Sequence, residues 1–593
     1  MNKFILTFIT LNIFLINSYS QEISIVLNGK PNANVVVFDK SNKQLIEIAN
    51  SLSHYIYKST NARLKVNNSI DPKSNNIIIA TQYKGVNKNY EKLDEDGFII
   101  QTANNSVIIS GKTDWGTEYG VYEFLERFIG IRWLMPTELW TEIPTKSTIR
   151  ISNIEITENP KFLSRSFFPI NMENKDDLLY AWGRNNRLRN RVEFHHNLRN
   201  LFNSETINKT HPQFLPLIDG KRYVPTNRRD WNWQPNFQAR GIDSYSANKI
   251  IQYFKQNPEA TSFSLGVNDG HNFDSRNSSG KRNYIGVEDY SDAYYSWVNK
   301  TVSMVNRSLP GKKFGLLAYN RVAEPPNFKL EDNVIPFITY DRHMWLEPAL
   351  KEKDIENSKR WQRLTKEYGW YDYVYGGAYI VPRIYFSLYQ EYLKTAYDMN
   401  VRYYVAEFYP DWLEGPKGWV MAKLLWDPDQ SLTNLLDDWY ANAVGEKSAP
   451  YLKQFYNLWE TIWTEDVPKS AWWKRKGSTY LPFNSQAYVE SISYEKILKA
   501  DELLRMAHKN ADSKIRRARA EDLIAMWEFS KMNYLYFRQK NNKALKFLNK
   551  EDRLISSQKV TKKEIDKKIE QLEKHPLHGA IMYMYKKPNR IQY

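Results

Sequence analysis

The chain has 593 residues, no cysteine and a formal net charge of +16 at pH 7. This length predicts roughly two to four domains. The lack of cysteine excludes disulfides, thiolate nucleophiles and cysteine-ligated metals. The positive charge favours an anionic partner, although a lysine-rich composition would produce it without one. With no recognisable nucleic-acid-binding module, we expect no nucleic acid partner.

Residues 1–20 are predicted to be a secretory signal peptide. Lys3 precedes the apolar run Phe4–Ile16, and Ser18-Tyr19-Ser20 precedes the expected cleavage site. The run is too short to span a membrane, and no comparable run follows. We therefore expect a periplasmic or secreted protein without a membrane span.

Residues 21–150 are predicted to form a small α/β sandwich domain. Its clearest part is Asp96–Trp133, where two strands with alternating apolar residues flank Asn104-Asn105. Asparagine tolerates the positive φ that a tight hairpin needs. Thr113 or Asp114 can cap the helix that follows, and a glycine can end it.

Residues 160–430 are predicted to form a (β/α)₈-type barrel, because short apolar strands alternate there with helical segments. The predicted strands are Ser166–Ile170, Arg191–His195, Ser262–Val267, Phe314–Ala318, Val334–Tyr340, Tyr371–Tyr375 and Tyr403–Phe408. The best candidate for an eighth strand is Trp419–Leu425. Residues 431–593 show helical periodicity and are predicted to form a C-terminal helical region.

The segment GTEYGVYEFLERFIGIRW, residues 116–133, resembles the N-terminal domain of α-glucuronidases and β-hexosaminidases. It also resembles a family of secreted bacterial carbohydrate-active proteins in which this domain precedes a glycosidase-type barrel of undefined chemistry. The segments HPQFLPLIDGKR (211–222) and SFSLGVNDG (262–270) resemble that family too. The cysteine-rich loop that often follows in the family is replaced here by His271-Asn272-Phe273-Asp274, which argues against a metal-bound loop.

Asp269 and Glu407 are the predicted catalytic carboxylates. Asp269 follows one predicted strand and Glu407 lies at the end of another, and the active sites of such barrels lie at the carboxyl ends of the strands. Glycoside hydrolysis needs two carboxyl groups, whose separation sets retention or inversion. The alternatives are a plain turn at Asn268-Asp269-Gly270 and an ion pair of Glu407 with Arg342 or Arg383.

His196, His343 and Tyr319 also follow predicted strands and are further catalytic candidates. They would suit the elimination of water from a uronate-bearing oligosaccharide, in which a base removes the proton α to the carboxylate. The alternative is that the histidines are structural. No cofactor or metal is expected, and motifs typical of nucleotide, zincin or serine-hydrolase sites are missing from the sequence.

Substrate binding is predicted for the long connection 197–244, which carries Trp231, Trp233 and Arg240. Tryptophans stack on sugar rings, and arginines hold carboxylate or sulfate groups. The connection could instead be a lid whose tryptophans pack on the barrel. The other predicted binding residues are Asp341, Arg342, Tyr409 and Trp412.

These features predict an exported enzyme that degrades acidic, uronate- or sulfate-bearing oligosaccharides, for example from algal polysaccharides such as ulvan, as a glycoside hydrolase. One alternative is an oligosaccharide dehydratase, a carbon–oxygen lyase. The other is a glycan-binding protein without catalytic activity.

Overall fold

The computed structural model describes residues 22–578, except 87–88, 172–177, 228, 378, 478 and 544–546. The predicted signal peptide, residues 1–20, lies outside the described residues. Across the described residues, no helix combines the length and apolar character that a membrane crossing requires. The chain divides into two compact units: one runs to Ile131 and resumes at Ile143–Asn159, and the other contains Arg132–Glu142 and the chain from Pro160.

The first unit is an α/β domain. Before Pro160 the strands are β1 (Ile23–Leu27), β2 (Lys30–Pro31), β3 (Ala33–Val36), β4 (Val66–Asn67), β5 (Asn75–Ile79), β6 (Phe98–Ala103), β7 (Ser106–Gly111), β8 (Arg132–Trp133), β9 (Thr141–Glu142), β10 (Ile149–Ile151) and β11 (Glu155–Glu158), and the helices are α1 (Lys43–Thr60) and α2 (Asp114–Phe124). The main sheet has the order β11-β6-β7-β5-β3-β4, and a smaller sheet has the order β10-β1-β2. The hairpin of β8 and β9 belongs to the second unit.

The hairpin and helix predicted within Asp96–Trp133 are present. Asn104 and Asn105 adopt φ values of 48° and 58°, as a tight turn between β6 and β7 requires. Thr113 caps α2 by accepting a hydrogen bond from the Gly116 amide. A methyl group on Gly120 would lie 2.8 Å from the Ile109 side chain, so glycine is needed for α2 to lie this close to the sheet.

The second unit is built on a parallel sheet. Its strands after Pro160 are β12 (Ser164–Phe168), β13 (Leu217–Ile218), β14 (Lys221–Arg222), β15 (Ser262–Ser264), β16 (Lys313–Ala318), β17 (Val334–Thr339), β18 (Gly369–Tyr373) and β19 (Tyr403–Glu407). The sheet order is β12-β19-β18-β17-β16-β15, and all five pairings are parallel. β13 and β14 form a separate hairpin.

Helices connect these strands and continue to the end of the described chain. They are α3 (Leu178–Asn185), α4 (Leu198–Leu201), α5 (Ser204–Thr210), α6 (Ile242–Gln256), α7 (Ser291–Ser308), α8 (Pro348–Leu364), α9 (Phe386–Asp398), α10 (Lys417–Trp426), α11 (Leu432–Val444), α12 (Ala449–Thr461), α13 (Ala471–Lys474), α14 (Tyr494–Asn510), α15 (Lys514–Asn542), α16 (Lys550–Ser557) and α17 (Lys562–Glu573). The predicted class is confirmed as an α/β domain, a parallel sheet and a helical C-terminal region, but the sheet has six strands and forms half a barrel, whereas eight strands were predicted.

Two predicted strands are wrong. Arg191–His195 forms no strand; it joins the sheet edge at β15 through a bridge of His196 to Gly266 and a 2.9 Å hydrogen bond from the Glu193 amide to Ser262 Oγ. A side chain at Gly266 would lie 2.5 Å from the Phe194 carbonyl oxygen, so this segment lies too close to β15 for regular pairing. Trp419–Leu425 lies within α10, where every residue is buried, which explains its strand-like apolar run.

The parallel sheet encloses an apolar core made of Val192, Phe194, Leu317, Ile335, Phe337, Tyr403 and Val405. Alternate residues of a strand share one face, so each row of core residues can be followed toward the carboxyl end of the sheet. Val405 leads to Glu407, and Leu317 leads to Tyr319. The apolar rows thus end in polar side chains, and these lie at the edge where a barrel carries its active site.

Candidate active site

Glu407, at the end of β19, is held by two tyrosine hydroxyls. Tyr371 donates to Oε1 at 2.5 Å, and Tyr375 donates to Oε2. Burial, together with the charge of Glu407, raises the pKa of both tyrosines well above the usual value. The tyrosines therefore stay protonated, and each donates a hydrogen bond to one oxygen of Glu407.

An aromatic wall stands beside Glu407. The Tyr375 ring stacks on Tyr409, with ring centroids 5.2 Å apart, and on Phe483 at 4.9 Å. Tyr373 contacts Tyr480 at 5.2 Å. Tyr409, Tyr480 and Phe483 are only half-buried, so they are the rings of this wall that a sugar can reach.

Asp269 faces the same space from the loop after β15. It is exposed, and the Tyr319 hydroxyl lies 3.4 Å from its Oδ1. Burial raises the pKa of Tyr319, and the negative charges of Asp269 and Glu407 raise it further. The same two carboxylates act on Tyr480, so both lie within electrostatic range of one pair of hydroxyls.

His196 has a defined tautomer. Its Nδ1 is hydrogen-bonded to the Val267 carbonyl, which can only accept, so Nδ1 carries the proton and Nε2 carries the lone pair in the neutral ring. Burial lowers the pKa of His196, against the opposing effects of that carbonyl and of Asp269. The ring meets Tyr319 edge-on at 6.0 Å. We call His196, Asp269, Tyr319 and Glu407 the mouth cluster.

Trp231 lies against the mouth cluster, and the Arg199 guanidinium stacks on its ring. Its ring meets His196 edge-on at 6.3 Å, and the Arg199 guanidinium carbon lies 3.1 Å above the ring centre. Trp231 and Arg199 are both half-buried. Arg240 is exposed and ends the same connection just before α6. Trp231 keeps the position predicted for a binding residue, whereas Trp233 is 1% exposed and donates its indole N–H to the Asp230 carbonyl.

Asp341, predicted to bind substrate, and His343, predicted as a catalytic candidate, are both buried in an ionic network. Arg383 Nη2 lies 3.0 Å from each oxygen of Asp341. The same guanidinium donates to His343 Nδ1 at 3.2 Å, and His343 Nε2 donates to the Trp463 carbonyl at 3.0 Å. Both nitrogens of His343 are therefore engaged, and it has none left to act as a base.

A buried pair adjoins this network. Glu414 and Lys417 lie 2.8 Å apart, and Glu414 also accepts from the Arg383 amide at 3.1 Å. Burial raises the pKa of Glu414 to about 8 and lowers the pKa of Lys417 to about 8. We call Asp341, His343, Arg383, Glu414 and Lys417 the buried cluster; each of them is at most 1% exposed.

Arg342 and Trp412 are also buried and do not face a substrate. Arg342 is 0% exposed, with its Nε 3.2 Å from Asp354 and its guanidinium 3.6 Å above the Trp370 ring. Trp412 is 3% exposed. The ion pair considered for Glu407 with Arg342 or Arg383 is therefore wrong, since both arginines pair with aspartates.

Four residues of the site were not predicted from the sequence: Arg199, Tyr371, Tyr375 and Tyr480. The period-two row Tyr371, Tyr373, Tyr375 could have shown that tyrosines share the face of Glu407. Arg199 and Tyr480 lie in loops far from Glu407 along the chain, and no local pattern marks them. Among the described residues, one group of side chains is spaced to hold a metal ion, and it lies elsewhere, at Asp522, His575 and His578.

A family model described as a domain of unknown function, DUF4838, matches residues 135–457, more than half of the 593 residues. The chain belongs to the DUF4838 family. A second model, the N-terminus of glycosyl hydrolase family 67, matches residues 27–124. No curated protein sequence matches the chain.

Among solved structures, this DUF4838 chain is similar to BtGH115A, a family GH115 4-O-methyl-α-glucuronidase with specificity for decorated arabinogalactans. The identity is 13% and the TM-score 0.62, over 96% of this chain and 80% of that one. A GH138 enzyme targeting pectin rhamnogalacturonan II gives 11% identity and a TM-score of 0.48, over 94% of this chain and 73% of that one. The first likeness shows a shared fold. The predicted architecture is confirmed: a glucuronidase-like N-terminal domain precedes a barrel-type domain.

Proposed function

We propose that this protein is an exported enzyme that degrades uronate- or sulfate-bearing oligosaccharides, such as those of ulvan, as a glycoside hydrolase. The observation that carries the proposal is the convergence of Asp269 and Glu407 on Tyr319 and Tyr480 at the carboxyl end of the parallel sheet. Two carboxyl groups at such an edge are what glycosidic cleavage requires.

The two carboxyl groups differ in a way that suggests their roles. Glu407 accepts a tyrosine hydrogen bond at each oxygen, and a carboxylate held in this way suits attack on the anomeric carbon or activation of water. Asp269 is exposed and would give a proton to the leaving oxygen. Cleavage then adds the elements of water across the glycosidic bond, and the acid is reprotonated.

The acidic substrate is supported by charge. Arg199 lies over Trp231 at the edge of the mouth cluster, so a sugar that stacks near this ring would bring a carboxylate or sulfate group close to a guanidinium. The net charge of +16 acts in the same direction at longer range. Tyr409 and Tyr480 would support further sugar rings.

A second candidate, an oligosaccharide dehydratase, is favoured by the tautomer of His196. Its Nε2 lone pair and lowered pKa leave a neutral base at pH 7, beside Tyr319 and Arg199. Such a base would remove the proton α to a uronate carboxylate, Arg199 would stabilise the enolate, and a hydroxyl group would leave with a proton from Tyr319 as water.

Mass spectrometry of uronate and sulfated oligosaccharides after incubation separates these reactions. Shorter products that together gain one water indicate hydrolysis, whereas intact oligosaccharides that lose one water indicate elimination. Unchanged oligosaccharides across a broad panel would contradict both reactions and leave a glycan-binding protein.

Variants assign the reaction to residues. If the reaction is hydrolysis, we expect Asp269→Asn and Glu407→Gln to abolish turnover. If it is elimination, we expect His196→Gln to abolish turnover. His195→Gln is the matched control. His195 immediately precedes His196 in the chain, but it pairs with Glu193 at 3.2 Å. Near-full activity in all three mouth-cluster variants would exclude this site.

A further inference from the structure

Three side chains with metal-binding atoms meet where α15 contacts the segment after α17. Asp522 lies in α15, and His575 and His578 follow α17. One ligand atom from each lies within 4.8 Å of the others. Asp522 Oδ1 and His575 Nε2 are 3.0 Å apart, a spacing that two ligands of one small cation also adopt. This group takes no part in the mouth cluster.

An ion pair accounts for the contact between Asp522 and His575, but it does not account for the buried position of His578. It is 1% exposed, and neither of its ring nitrogens has a hydrogen-bond partner among the described residues. Burying an unpaired polar group costs about 1–3 kcal/mol, so native proteins rarely leave one. A neutral imidazole has a lone pair on one ring nitrogen, so the unpaired ring of His578 can supply a ligand atom to a metal ion.

A hydrogen bond from Trp140 fixes the orientation of the Asp522 carboxylate. Its Oδ2 accepts a 2.9 Å hydrogen bond from the Trp140 indole N–H, which leaves Oδ1 directed at His575. Metal ligands are commonly fixed by such outer hydrogen bonds. Asp522 is 8% exposed, and no lysine or arginine in the described part of the chain pairs with it. A cation would supply the missing positive charge.

We propose that Asp522, His575 and His578 bind a zinc ion that fastens the C-terminal segment to α15. Two imidazoles and one carboxylate form a donor set that zinc takes in proteins, and His575, about a third exposed, leaves room for water as a fourth ligand. Coordination through His575 Nε2 moves that ring's proton to Nδ1, which then gives up its 3.2 Å contact with the Leu577 amide.

Zinc content tests the site. Tag-free full-length protein is loaded with Zn²⁺, dialysed and measured by elemental analysis, together with its melting temperature before and after a chelator. We expect one zinc per chain and a melting temperature that falls when zinc is removed. Absence of bound zinc, or zinc that leaves the melting temperature unchanged, would overturn the proposal.

His508 provides a matched control. It pairs with Glu521 at 3.0 Å, the spacing of the proposed ligands, but within the described part of the chain no third ligand lies beside the pair. His578→Ala should lose the zinc and the chelator effect, whereas His508→Ala should keep both. Because His578 is buried, His575→Gln at the more exposed position repeats the test should His578→Ala fail to fold. Full zinc binding by His575→Gln would exclude this ligand set.

Discussion

The mouth cluster and the buried cluster each contain a histidine, an aspartate and a glutamate, yet only the mouth cluster is open to a substrate. Each has a histidine and carboxylates close to the carboxyl end of the parallel sheet. In the mouth cluster, Asp269 is exposed and Glu407 is half-buried, so a substrate can reach them. In the buried cluster, Arg383 binds both Asp341 and His343, and the Trp463 carbonyl binds the other ring nitrogen of His343. Access to solvent, rather than residue type, separates a group that a substrate can reach from a structural one.

The buried cluster still contributes to the site by supporting the wall. Arg383 Nη1 donates to the Tyr373 carbonyl at 2.7 Å, at the end of β18. Lys417 in turn donates to the Arg383 carbonyl at 3.1 Å. These bonds hold the strand end from which Tyr375 reaches Glu407. The difference between the clusters can be tested by substitutions that affect one cluster and leave the other intact.

The largest effect is expected for Glu407→Gln. Loss of the carboxylate charge should reduce turnover of the acidic oligosaccharide about 10³-fold under the hydrolase proposal, with little change in melting temperature. Steady-state kinetics and thermal unfolding measure the two effects. Glu288→Gln is the control, because Glu288 is a carboxylate paired with Arg321 at 2.9 Å. Equal activity of the two variants would remove Glu407 from the mechanism.

The next effect is expected for Arg383→Ala, which leaves Asp341 charged and buried. Breaking a buried ion pair costs about 3–5 kcal/mol, so the urea midpoint of unfolding should fall sharply. Arg321→Ala breaks the more exposed pair with Glu288 and should cost about 1 kcal/mol or less. A midpoint for Arg383→Ala close to that of Arg321→Ala would show that the buried cluster is not structural.

The smallest effect is a pH dependence from His343. Burial and the charge of Arg383 lower the pKa of His343 well below its usual value. Below about pH 6.5 the unfolded chain therefore binds a proton that the folded chain does not, and stability falls as pH falls, by about 1.4 kcal/mol per pH unit. Above that pH the contribution is constant.

Unfolding free energies of wild type and His343→Gln at about pH 5, 6 and 7 measure this slope. The variant should show a weaker pH dependence than wild type over that range. His54→Gln, at an exposed histidine, should leave the slope unchanged. Parallel curves for wild type and His343→Gln would show that His343 takes up its proton in the folded protein.

Local patterns predicted much of the fold because they report local physics. The hairpin at Asn104-Asn105 and the cap at Thr113 follow from the backbone preferences of single residues. Strand positions β16, β17 and β19 follow from short buried apolar runs. The strand prediction for Arg191–His195 was wrong because close contact with β15 replaced regular pairing. The strand prediction for Trp419–Leu425 was wrong because a fully buried helix lacks the polar face by which a helix is usually recognised.

The sequence by itself determined the α/β domain, the parallel strands and the position of Asp269 and Glu407 at strand ends, because these depend on residues close together in the chain. The tertiary structure decided which strand-end groups remain accessible. Asp341, Arg342 and His343 carry the same local signal as Glu407, but Arg383, Asp354 and Trp463 bury and pair them. Tyr371, Tyr375 and Tyr480 join Glu407 and Asp269 only through folding, since contacts between distant segments leave no local pattern.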